Sequence, residues 1–489
     1  MIVLLNPWST PSSKKPLPMS LLAVASLIEG EFEYEIVDGN LVADPVSRVM
    51  ELACGHAITA IGVTVMPGPQ LARAVDLSRK LKALLPDVPI VWGGYFPSQH
   101  AETCLRDPAV DFVVHGQGEL TFVELARALV RGGSPAVIPS LSHKEGGTVR
   151  RIPSRPLTPL DELPDWPYHR VPMERYLHRH YLGERVATHH SSFGCPFGCN
   201  FCAVVGMSNR RWVAQSPARV AAILEAQQRA YGIDAVQFHD MDFFISEPRT
   251  AEFAGRIEGR GLAWWALGRV DELMRYKDDT WRAMRRSGLK MVFCGAESGS
   301  DEVLARMNKG GTAAAGKTLA LARRMREHGV VPEFSFVVGN PPDPVADVRA
   351  TTAFIRQLKA VNPAAEIILY TYTPVPLDGT LYDEARALGF RFPDTLDGWT
   401  SGDWRHFALR RDPRTPWLDG RWKATVRDFE SVLNAYYPTV TDARLTPLRR
   451  GLLRVLSGWR YWLRVYGWPV ELRTFHRVFG YRRPETTGF

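Results

Sequence analysis

Three cysteines stand close together, and their spacing is the clearest chemical signal in the chain. Cys195, Cys199 and Cys202 form a C-x3-C-x2-C run, with the aromatic Phe201 before the last cysteine. Thiolates hold iron-sulfur clusters, and three of them leave one iron of a four-iron cube open to a further ligand. Zinc would require a fourth cysteine or histidine at regular spacing, and Cys294 lies on a predicted strand as a small core residue. The spacing therefore predicts a [4Fe-4S] cluster.

Polar or glycine residues also follow several predicted strands downstream of the cysteines. Arg269, Glu297 and Gly339 stand at or just after the ends of three such strands, and Asp240 and Asp242 follow a fourth. Parallel sheets bind ligands at the carboxyl ends of their strands. The two aspartates are candidate catalytic or ligand-orienting residues, and the alternative is that they cap the next helix.

The elements that would position these residues alternate between strand and helix from residue 185 onward. Such alternation predicts an α/β fold, here a partial (β/α)6 barrel of the TIM type with the cysteine run after its first strand. The predicted strands are Val186–Phe193, Ala235–Phe238, Ala263–Arg269, Lys290–Ala296, Pro332–Val338 and Ile367–Tyr372.

The first part of the chain shows a second α/β alternation. Continuous apolar strands and amphipathic helices predict a doubly wound, Rossmann-like parallel sheet over residues 1–137. Its strand ends are rich in glycine and small residues, which let backbone approach a large flat ligand. The Gly-x-Gly-x-x-Gly fingerprint of dinucleotide binders does not follow the first strand, so nicotinamide chemistry is disfavoured.

Two further segments complete the predicted organisation. Residues 138–180 are rich in proline and lack sustained periodicity, which predicts a linker between the first domain and a barrel at 181–389. Residues 390–489 gather many tryptophans and arginines and predict a helical substrate or lid domain. Within it, we expect the tryptophans to pack on the barrel and the arginines to face water.

Composition limits the cellular setting and the partners. The 489 residues include six cysteines, three of them in the short run, which favours metal ligation in a reducing compartment. The apolar start is too short for a signal peptide, and no run approaches a membrane span, so we expect a cytoplasmic protein. The net charge of +8 comes from dispersed arginines without a nucleic-acid motif, so no nucleic-acid partner is expected.

The cysteine run, placed after the first strand of a βα barrel, resembles the radical S-adenosylmethionine (SAM) superfamily. The resemblance implies that SAM chelates the open iron and releases a 5′-deoxyadenosyl radical that abstracts hydrogen. It also implies that Glu297 bonds the ribose hydroxyls and that Arg269 pairs the methionine carboxylate. The segment Gly339-Asn340-Pro341 resembles the turn that lies beneath the adenine of SAM in this superfamily, which implies that Gly339 contacts SAM. Phe201 and Ser298 are the other implied SAM contacts.

A doubly wound domain before such a barrel resembles the cobalamin-dependent (B12-binding) members of that superfamily. The first strand is followed by Asn6-Pro7-Trp8, without the Asp-x-His-x-x-Gly motif that supplies a histidine to cobalt. The resemblance therefore implies base-off cobalamin without a histidine ligand, and the alternative is a degenerate domain that binds no cofactor. The implied cobalamin contacts are Thr64, Val65, Met66, Gly68, Gly93, Gly94, Gly116, Gly118 and Glu119.

These cofactors imply a reaction class. The first interpretation is a radical SAM methyltransferase that methylates an unactivated carbon of a small-molecule or natural-product substrate through methylcobalamin. The second is oxidative cyclisation or rearrangement without methyl transfer. A third, from another class, is a ligand-binding module whose cluster is structural. Cluster reduction implies a flavodoxin or ferredoxin as electron donor, and contact with a membrane is conceivable but not favoured.

Overall fold

The structure is a computed structural model, and it describes residues 1–489 apart from 13, 310–313, 378, 403, 405–414, 440, 442–444 and 480–489. Two α/β units follow one another along the chain, and helices follow the second unit. Much of the predicted helical segment at 390–489 is described, but residues 405–414 and 480–489 of it lie outside the described residues.

The first unit contains a seven-stranded sheet whose first five strands are parallel, in the order β2-β1-β3-β4-β5. The reversal beside β1 is the topological switch point of a flavodoxin-like doubly wound fold, so the predicted fold class is confirmed. The strands are β1 (Ile2–Asn6), β2 (Tyr34–Asp38), β3 (Ala60–Thr64), β4 (Ile90–Gly93), β5 (Phe112–Val114), β6 (Leu141–Glu145) and β7 (Thr148–Arg151). The helices are α1 (Met19–Ile28), α2 (Pro45–Gly55), α3 (Pro69–Leu84), α4 (Tyr95–Gln99), α5 (Ala101–Arg106) and α6 (Glu119–Arg131).

Strands β6 and β7 lie inside the stretch predicted to be a linker. They form an antiparallel hairpin that extends the first sheet beyond β5. The stretch predicted to be a linker therefore contains two strands of the first sheet, at residues 141–145 and 148–151. The hairpin turns at Gly146 and Gly147, both with positive φ, and its strands contain lysine, arginine and glutamate rather than an apolar run. Such an edge strand gives little hydrophobic signal.

The second unit contains a six-stranded parallel sheet in the order β8-β11-β12-β13-β14-β15, with each barrel strand beside the next one along the chain. This confirms the predicted partial barrel. Its strands are β8 (Val186–His189), β11 (Ala235–Phe238), β12 (Ala263–Arg269), β13 (Leu289–Glu297), β14 (Val331–Val338) and β15 (Glu366–Thr371), and a separate antiparallel pair is β9 (Ser192–Gly194) with β10 (Trp212–Ala214). Its helices are α7 (Val204–Ser208), α8 (Pro217–Tyr231), α9 (Glu247–Ile257), α10 (Val270–Arg275), α11 (Asp278–Arg286), α12 (Asp301–Arg306), α13 (Ala315–Glu327) and α14 (Pro344–Val361).

Local sequence signals fix several of these boundaries. The side chain of Ser216 caps α8 by accepting a hydrogen bond from the Arg219 backbone nitrogen, and Pro217 occupies the first turn. Gly288 precedes β13 with φ +103°, and a Cβ there would lie 2.0 Å from the Leu262 carbonyl oxygen. Only glycine fits that close approach between neighbouring strands.

The chain beyond the barrel packs against both units. Helices α15 (Thr380–Ala387) and α16 (Leu396–Thr400) contribute Ala385, Leu396 and Trp399 to the apolar core of the first unit. Helices α17 (Gly420–Tyr436), α18 (Pro447–Leu463) and α19 (Val470–Val478) pack on the barrel. Among the described residues, no helix has the length and apolarity needed to cross a membrane.

Candidate functional site

The three cysteines lie on the loop between β9 and α7. Gly194 ends β9 with φ +83°, and a Cβ there would lie 2.1 Å from the Arg211 carbonyl oxygen, so the chain can enter the loop only through glycine. Strand β9 has left the barrel sheet to pair with β10, so the predicted single strand Val186–Phe193 is in fact two short strands. The loop therefore starts beside the barrel rather than directly on its first strand.

Two asparagines join the cysteine loop to the end of α12 and the segment that follows it. Asn200 Nδ2 donates to the Arg306 carbonyl oxygen over 2.7 Å, and Asn308 Nδ2 donates to the Gly198 carbonyl oxygen over 2.9 Å. These reciprocal bonds join residues more than a hundred positions apart. They hold the loop against the barrel.

The cysteines differ in exposure. Cys199 is buried, whereas Cys195 and Cys202 are partly exposed, and burial raises the pKa of the Cys195 thiol to about 12. Among the described residues, no three His, Cys, Asp or Glu side chains converge closely enough to bind a single metal ion. Each thiolate of a four-iron cluster binds a different iron, so a cluster does not require such convergence.

Arg269, at the end of β12, lies directly on the cysteine loop. Its guanidinium lies 3.8 Å from the ring centre of Phe197, and Nη1 donates to the Cys199 sulfur over 3.2 Å. Two further N–H groups bind Asp271 at 3.0 and 2.9 Å, and another binds the Lys309 carbonyl oxygen. Arg269 thus joins the cysteine loop to the barrel, and its predicted pairing with the methionine carboxylate stays a prediction.

Glu297, at the end of β13, is buried and has φ +65°, an uncommon conformation for a residue with a side chain. Its carboxylate pairs with the ammonium of Lys309, which is also buried. Gly295 makes room for this pair, since a Cβ there would lie 2.3 Å from Glu297 Oε1 and 2.7 Å from Lys309 Nζ. The Lys309 ammonium also lies 5.9 Å from the ring centre of Phe201.

Asp347, on α14, connects the ends of β13 and β14. It accepts hydrogen bonds from the Ser298 hydroxyl at 3.0 Å and from the Gly339 backbone nitrogen at 2.8 Å. The Asn340 backbone nitrogen donates to the same carboxylate, while Asn340 Oδ1 is buried without a hydrogen-bond partner among the described atoms. A buried acceptor of this kind fits a ligand that donates hydrogen bonds at the predicted adenine turn.

Asp240 and Asp242 follow β11 and are both buried, so neither is a solvated turn residue. Helix α9 is capped by Ser246, so the helix-capping alternative is wrong. Asp240 accepts hydrogen bonds from the backbone nitrogen and hydroxyl of Ser191. Asp242 Oδ1 accepts from the Phe244 backbone nitrogen, while Oδ2 is buried without a partner among the described atoms, and burial raises the pKa of Asp242 to about 7.

The carboxyl edge of the first sheet carries the residues predicted to bind cobalamin. A Cβ at Gly94 would lie 3.2 Å from the Val65 carbonyl oxygen, and one at Gly118 would lie 3.0 Å from the Val114 side chain. Met66 follows β3 and is 49% exposed, an unusual degree for a large apolar side chain at a strand end. Glycines packed this tightly leave a flat backbone surface with one exposed thioether, which fits a broad planar ligand.

The remaining predicted residues lie along the same edge. Thr64 ends β3 and hydrogen-bonds the Ser20 hydroxyl over 2.9 Å. Gly68 precedes α3 with φ +88°, and Gly93 ends β4. Glu119 is the first residue of α6. The structure therefore places all nine predicted residues where β3, β4 and β5 end.

This edge meets the helix that follows the cysteine loop. Gln99 Nε2, at the end of α4, donates to the carbonyl oxygen of Ala203, the residue after Cys202, over 3.0 Å. A Cβ at Gly116, with φ +75°, would lie 2.9 Å from the Met207 carbonyl oxygen on α7. The two candidate cofactor sites are therefore neighbours, joined through α7.

Known protein families match both units. A B12-binding domain model matches residues 13–126, and a radical SAM superfamily model matches residues 190–355. An uncharacterized methyltransferase of Pyrococcus horikoshii is 30% identical over 345 residues, covering 70% of this chain and 73% of the relative. The chain belongs to the cobalamin-dependent radical SAM enzymes. The predicted family is therefore confirmed, and so is the prediction of an enzyme.

Two other comparisons place the radical SAM enzyme among its relatives. The anaerobic magnesium-protoporphyrin IX monomethyl ester cyclase of Synechocystis is 24% identical, covering 68% of this chain and 67% of the cyclase. The radical SAM methyltransferase TsrM from Kitasatospora setae, solved with cobalamin and a [4Fe-4S] cluster, matches with a TM-score of 0.66. That match has 19% identity and covers 80% of this chain and 79% of TsrM, and at this identity it shows the shared fold.

The cofactors of this radical SAM enzyme are a [4Fe-4S] cluster, SAM and cobalamin, as predicted. The residues present fit them. Three thiols lie on a loop held against the barrel, buried unpaired oxygens occur at two strand ends, and a glycine-lined edge faces the loop. A cavity of about 350 Å³ also borders the loop, lined by Cys199, Arg210 and Arg306 among others.

Sequence reasoning missed three residues that shape this site. Lys309 lies on the segment after α12, Asp347 on α14, and Trp417 between α16 and α17, where its Nε1 donates to the Gly339 carbonyl oxygen over 2.9 Å. None of the three lies at the end of a predicted barrel strand, and strand ends were the positions at which the sequence indicated functional residues. For Lys309, its position twelve residues after Glu297 was the available sequence signal.

Proposed function

We propose that this radical SAM enzyme methylates an unactivated carbon of a small-molecule substrate. The contact between the cobalamin edge and the cluster loop carries the proposal, because Gln99 binds the backbone immediately after Cys202. When bound, SAM at the cluster supplies a hydrogen-abstracting radical, and cobalamin supplies the methyl group. A substrate between the two edges would meet both cofactors. The name of the Pyrococcus horikoshii relative, a methyltransferase, supports methyl transfer.

In this proposal the cysteine thiolates bind the cluster, and Arg269 positions the loop that carries them. Its contact with Cys199 places a positive charge beside a ligand sulfur. Four of its five N–H groups are used by Asp271, Cys199 and Lys309, which leaves one for the methionine carboxylate. Both roles are compatible for one guanidinium.

The nucleoside part of SAM would lie along the ends of β13 and β14. Glu297 accepts hydrogen bonds from the ribose hydroxyls, while its pairing with Lys309 keeps the carboxylate in place. Ser298 and Gly339, both held by Asp347, frame the adenine, and Phe201 covers the methionine side. The buried Asn340 Oδ1 is well suited to accept a hydrogen bond from the adenine amino group.

The two aspartates have different proposed roles. Asp240 is a positioning residue, because its carboxylate is bound by Ser191 and Ser192 and orients the turn after β8. Asp242 has a buried free oxygen and a pKa raised to about 7, so it carries a proton for part of the time at neutral pH. A protonated Asp242 can donate a hydrogen bond to SAM or substrate.

Cobalamin is proposed to bind base-off, and Met66 rather than a histidine would contact it at this edge. The polar groups at the end of β1 are occupied elsewhere, since Asn6 bonds Asp38 and Gln70. Met66 is the large exposed side chain on this edge, and its backbone nitrogen is fixed by Gln70 Oε1 at 2.7 Å. Without a histidine ligand at this edge, low-valent cobalt would be favoured.

An acidic flavodoxin or ferredoxin is the proposed electron donor, and the cavity beside Cys199 is its proposed docking site. Arg210 lines this cavity, and its guanidinium lies so close to the cluster loop that a Cβ at Gly198 would be 2.8 Å from it. Arg210 is exposed. A positive side chain beside the shortest route to the cluster would steer an acidic carrier there.

The deciding experiment is anaerobic reconstitution with iron, sulfide and hydroxocobalamin, followed by reduction and product analysis with candidate substrates. Methyl transfer predicts both 5′-deoxyadenosine and S-adenosylhomocysteine, and a substrate heavier by one methylene unit. The Cys199→Ala variant should form none of the three. Formation of 5′-deoxyadenosine and a dehydrogenated or cyclised product without S-adenosylhomocysteine would overturn methyl transfer.

Cyclisation is the second candidate, because the Synechocystis relative is named a cyclase and its alignment covers 68% of this chain, close to the 70% covered by the Pyrococcus horikoshii methyltransferase. The same product analysis separates it from methylation. A ligand-binding module with a structural cluster would cleave no SAM under any of these conditions.

A further inference from the structure

Helix α18 has an apolar face that points away from the protein. Five large apolar side chains recur at intervals of four and three residues, the spacing of a single helix face, and a sixth, Leu463, lies four residues after Trp459 on the same face. All are exposed, with Leu448 at 83%, Val455 at 76% and Leu463 at 69%. The six residues, which we call the outer stripe, are Leu448, Leu452, Val455, Trp459, Trp462 and Leu463.

The outer stripe is not the face by which α18 folds onto the protein. Leu453, Ser457 and Tyr461 are buried on the other side of the helix, where Leu453 and Tyr461 join the barrel core together with Phe429 of α17. A surface helix normally carries one apolar stripe, which faces the core. A second stripe of this size has no folding role and indicates a binding surface.

Helix α19, which packs on α18, and the turn before it also carry exposed apolar side chains. Val465, Trp468 and Val470 are exposed, at 44%, 76% and 58%. The sequence-based expectation that the C-terminal tryptophans pack on the barrel is therefore wrong for Trp459, Trp462 and Trp468. Exposed tryptophans beside exposed leucines and valines are typical of helices that lie in the interface of a bilayer, where an aromatic ring with one polar group is favourable.

The charge around the outer stripe is mostly positive, and its carboxylates, Glu471 and Asp428, are paired with Arg460 and Arg473. Residues 445–479 contain seven arginines and one acidic residue, Glu471, which pairs with the buried Arg460. Arg454, Arg464 and Arg477 are exposed, and no carboxylate pairs with them among the residues that the structure describes. Unpaired arginines beside apolar side chains complement a surface that is both negative and apolar. An anionic lipid bilayer has this combination, whereas an acidic protein or nucleic acid matches only the charge.

We propose that α18 and α19 dock this enzyme on an anionic lipid bilayer, with the outer stripe in the headgroup region and the arginines against lipid phosphates. The helices lie on the membrane surface and do not cross it, since the opposite face of α18 remains packed on the barrel. This inference is independent of methyl transfer. Docking requires neither cofactor nor substrate, so either proposal can fail without the other.

The experiment is co-sedimentation of the full chain with vesicles of phosphatidylcholine alone or with added phosphatidylglycerol. The expected result is binding to the phosphatidylglycerol vesicles that weakens as salt is raised, and little binding to phosphatidylcholine alone, because charge and apolar contact act together. Absence of binding to anionic vesicles at low salt would overturn the proposal.

Two matched triple variants test the surface itself. Leu448→Gln, Val455→Gln and Leu463→Gln together should lower partitioning onto anionic vesicles about tenfold or more, because three apolar side chains no longer enter the interface. The control is Leu84→Gln, Val130→Gln and Val137→Gln, three similarly exposed apolar residues on the first unit, which should bind as the wild type does. Equal loss in both variants would contradict the assignment.

A second copy of the chain is the other occupant to exclude. Sedimentation velocity without lipid should show a monomer at all concentrations, both for the wild type and for the outer-stripe variant. If the wild type instead forms a dimer that the outer-stripe variant does not form, and does not bind vesicles, self-association would replace membrane docking. Thermal unfolding of both triple variants should match the wild type, since all six positions are on the surface.

Discussion

The guanidinium of Arg269 lies 3.2 Å from the sulfur of Cys199 and 3.8 Å from the ring centre of Phe197. One side chain thus contacts both the central cysteine and the aromatic residue of the loop that precedes it. The Asp271 carboxylate accepts two hydrogen bonds from the same guanidinium. The order of the cluster loop therefore depends on a charged pair at the end of β12.

Replacing Arg269 by glutamine should lower cluster loading. The variant loses the contact with Cys199 and the cation over Phe197, and it removes the guanidinium that pairs with the buried Asp271. Breaking this buried pair should lower the free energy of unfolding by about 3–5 kcal/mol. Iron and sulfide per chain after reconstitution measure the first effect, and denaturant titration measures the second.

A double variant separates the two effects of Arg269. Arg269→Gln with Asp271→Asn should recover most of the stability, since the buried carboxylate is removed together with the guanidinium that pairs with it, yet its cluster content should stay low. The exposed Arg275→Gln serves as control and should load the cluster normally. Full recovery of cluster content in the double variant would show that Arg269 acts only through stability.

Replacing Lys309 by methionine should destabilise the enzyme and weaken SAM binding. Lys309 and Glu297 are both buried, so loss of the ammonium leaves an uncompensated carboxylate, at about 3–5 kcal/mol. The pair Lys309→Met with Glu297→Gln should regain stability but still bind SAM weakly, because the predicted ribose contact is missing. Equilibrium dialysis with labelled SAM measures binding, and unchanged affinity in the double variant would contradict the role of Glu297.

Strand ends explain how much of the site the sequence could predict. Arg269, Glu297 and Gly339 lie where alternating strand and helix patterns placed them, because continuous apolar strands are local signals. Cys195 instead follows β9, which pairs outside the barrel sheet. Trp264 and Trp265 are neighbours on β12, and their side chains point to opposite faces, as alternation along a strand requires. Trp264 packs in the core between the sheet and the helices, whereas Trp265 packs among the residues inside the barrel.

The remaining contacts depend on pairs that are distant in sequence. Asp347 binds Ser298 and Gly339 across two strands, and Trp417 reaches Gly339 from beyond the barrel. No local pattern encodes such pairs. The hairpin of β6 and β7 was missed for another reason, since an exposed edge strand with charged residues lacks the apolar run that marks a strand.

Asp242 should make stability depend on pH. Burial raises its pKa to about 7 in the folded protein, above the ordinary value of 3.8, so the folded state binds the proton more tightly than the unfolded state does. The stabilising contribution is complete below about pH 4 and is lost as pH rises through about 7, by up to about 4 kcal/mol at 1.36 kcal/mol per pKa unit. Denaturant titration from pH 4 to pH 8 measures this loss.

Asp242→Asn should flatten that part of the stability profile, because the amide does not ionise. The variant should gain stability relative to the wild type as pH rises from 5 to 8. Asp279→Asn, at an exposed position on α11, should keep the profile of the wild type. A wild-type profile in Asp242→Asn would show that the carboxyl group is not the cause.

Met66 should leave the lower face of cobalt without a nitrogen ligand. The EPR spectrum of the enzyme loaded with cob(II)alamin should therefore lack nitrogen superhyperfine splitting, and Met66→His should introduce it. Leu84→His, at an exposed position on α3 away from this edge, should leave the spectrum unchanged. Nitrogen splitting in the wild type would overturn the base-off proposal.

Arg210 should affect reduction of the cluster by protein donors but not by a small reductant. Arg210→Glu reverses the charge beside the cavity at Cys199, so an acidic flavodoxin should reduce the cluster at least about tenfold more slowly at low salt, and the difference should shrink as salt screens the charges. Dithionite, which needs no docking surface, should reduce both proteins at similar rates. The control is Arg131→Glu, an exposed arginine at the end of α6, which should reduce as the wild type does. Equal slowing with dithionite would mean that Arg210 supports the loop itself, because its guanidinium lies against Gly198.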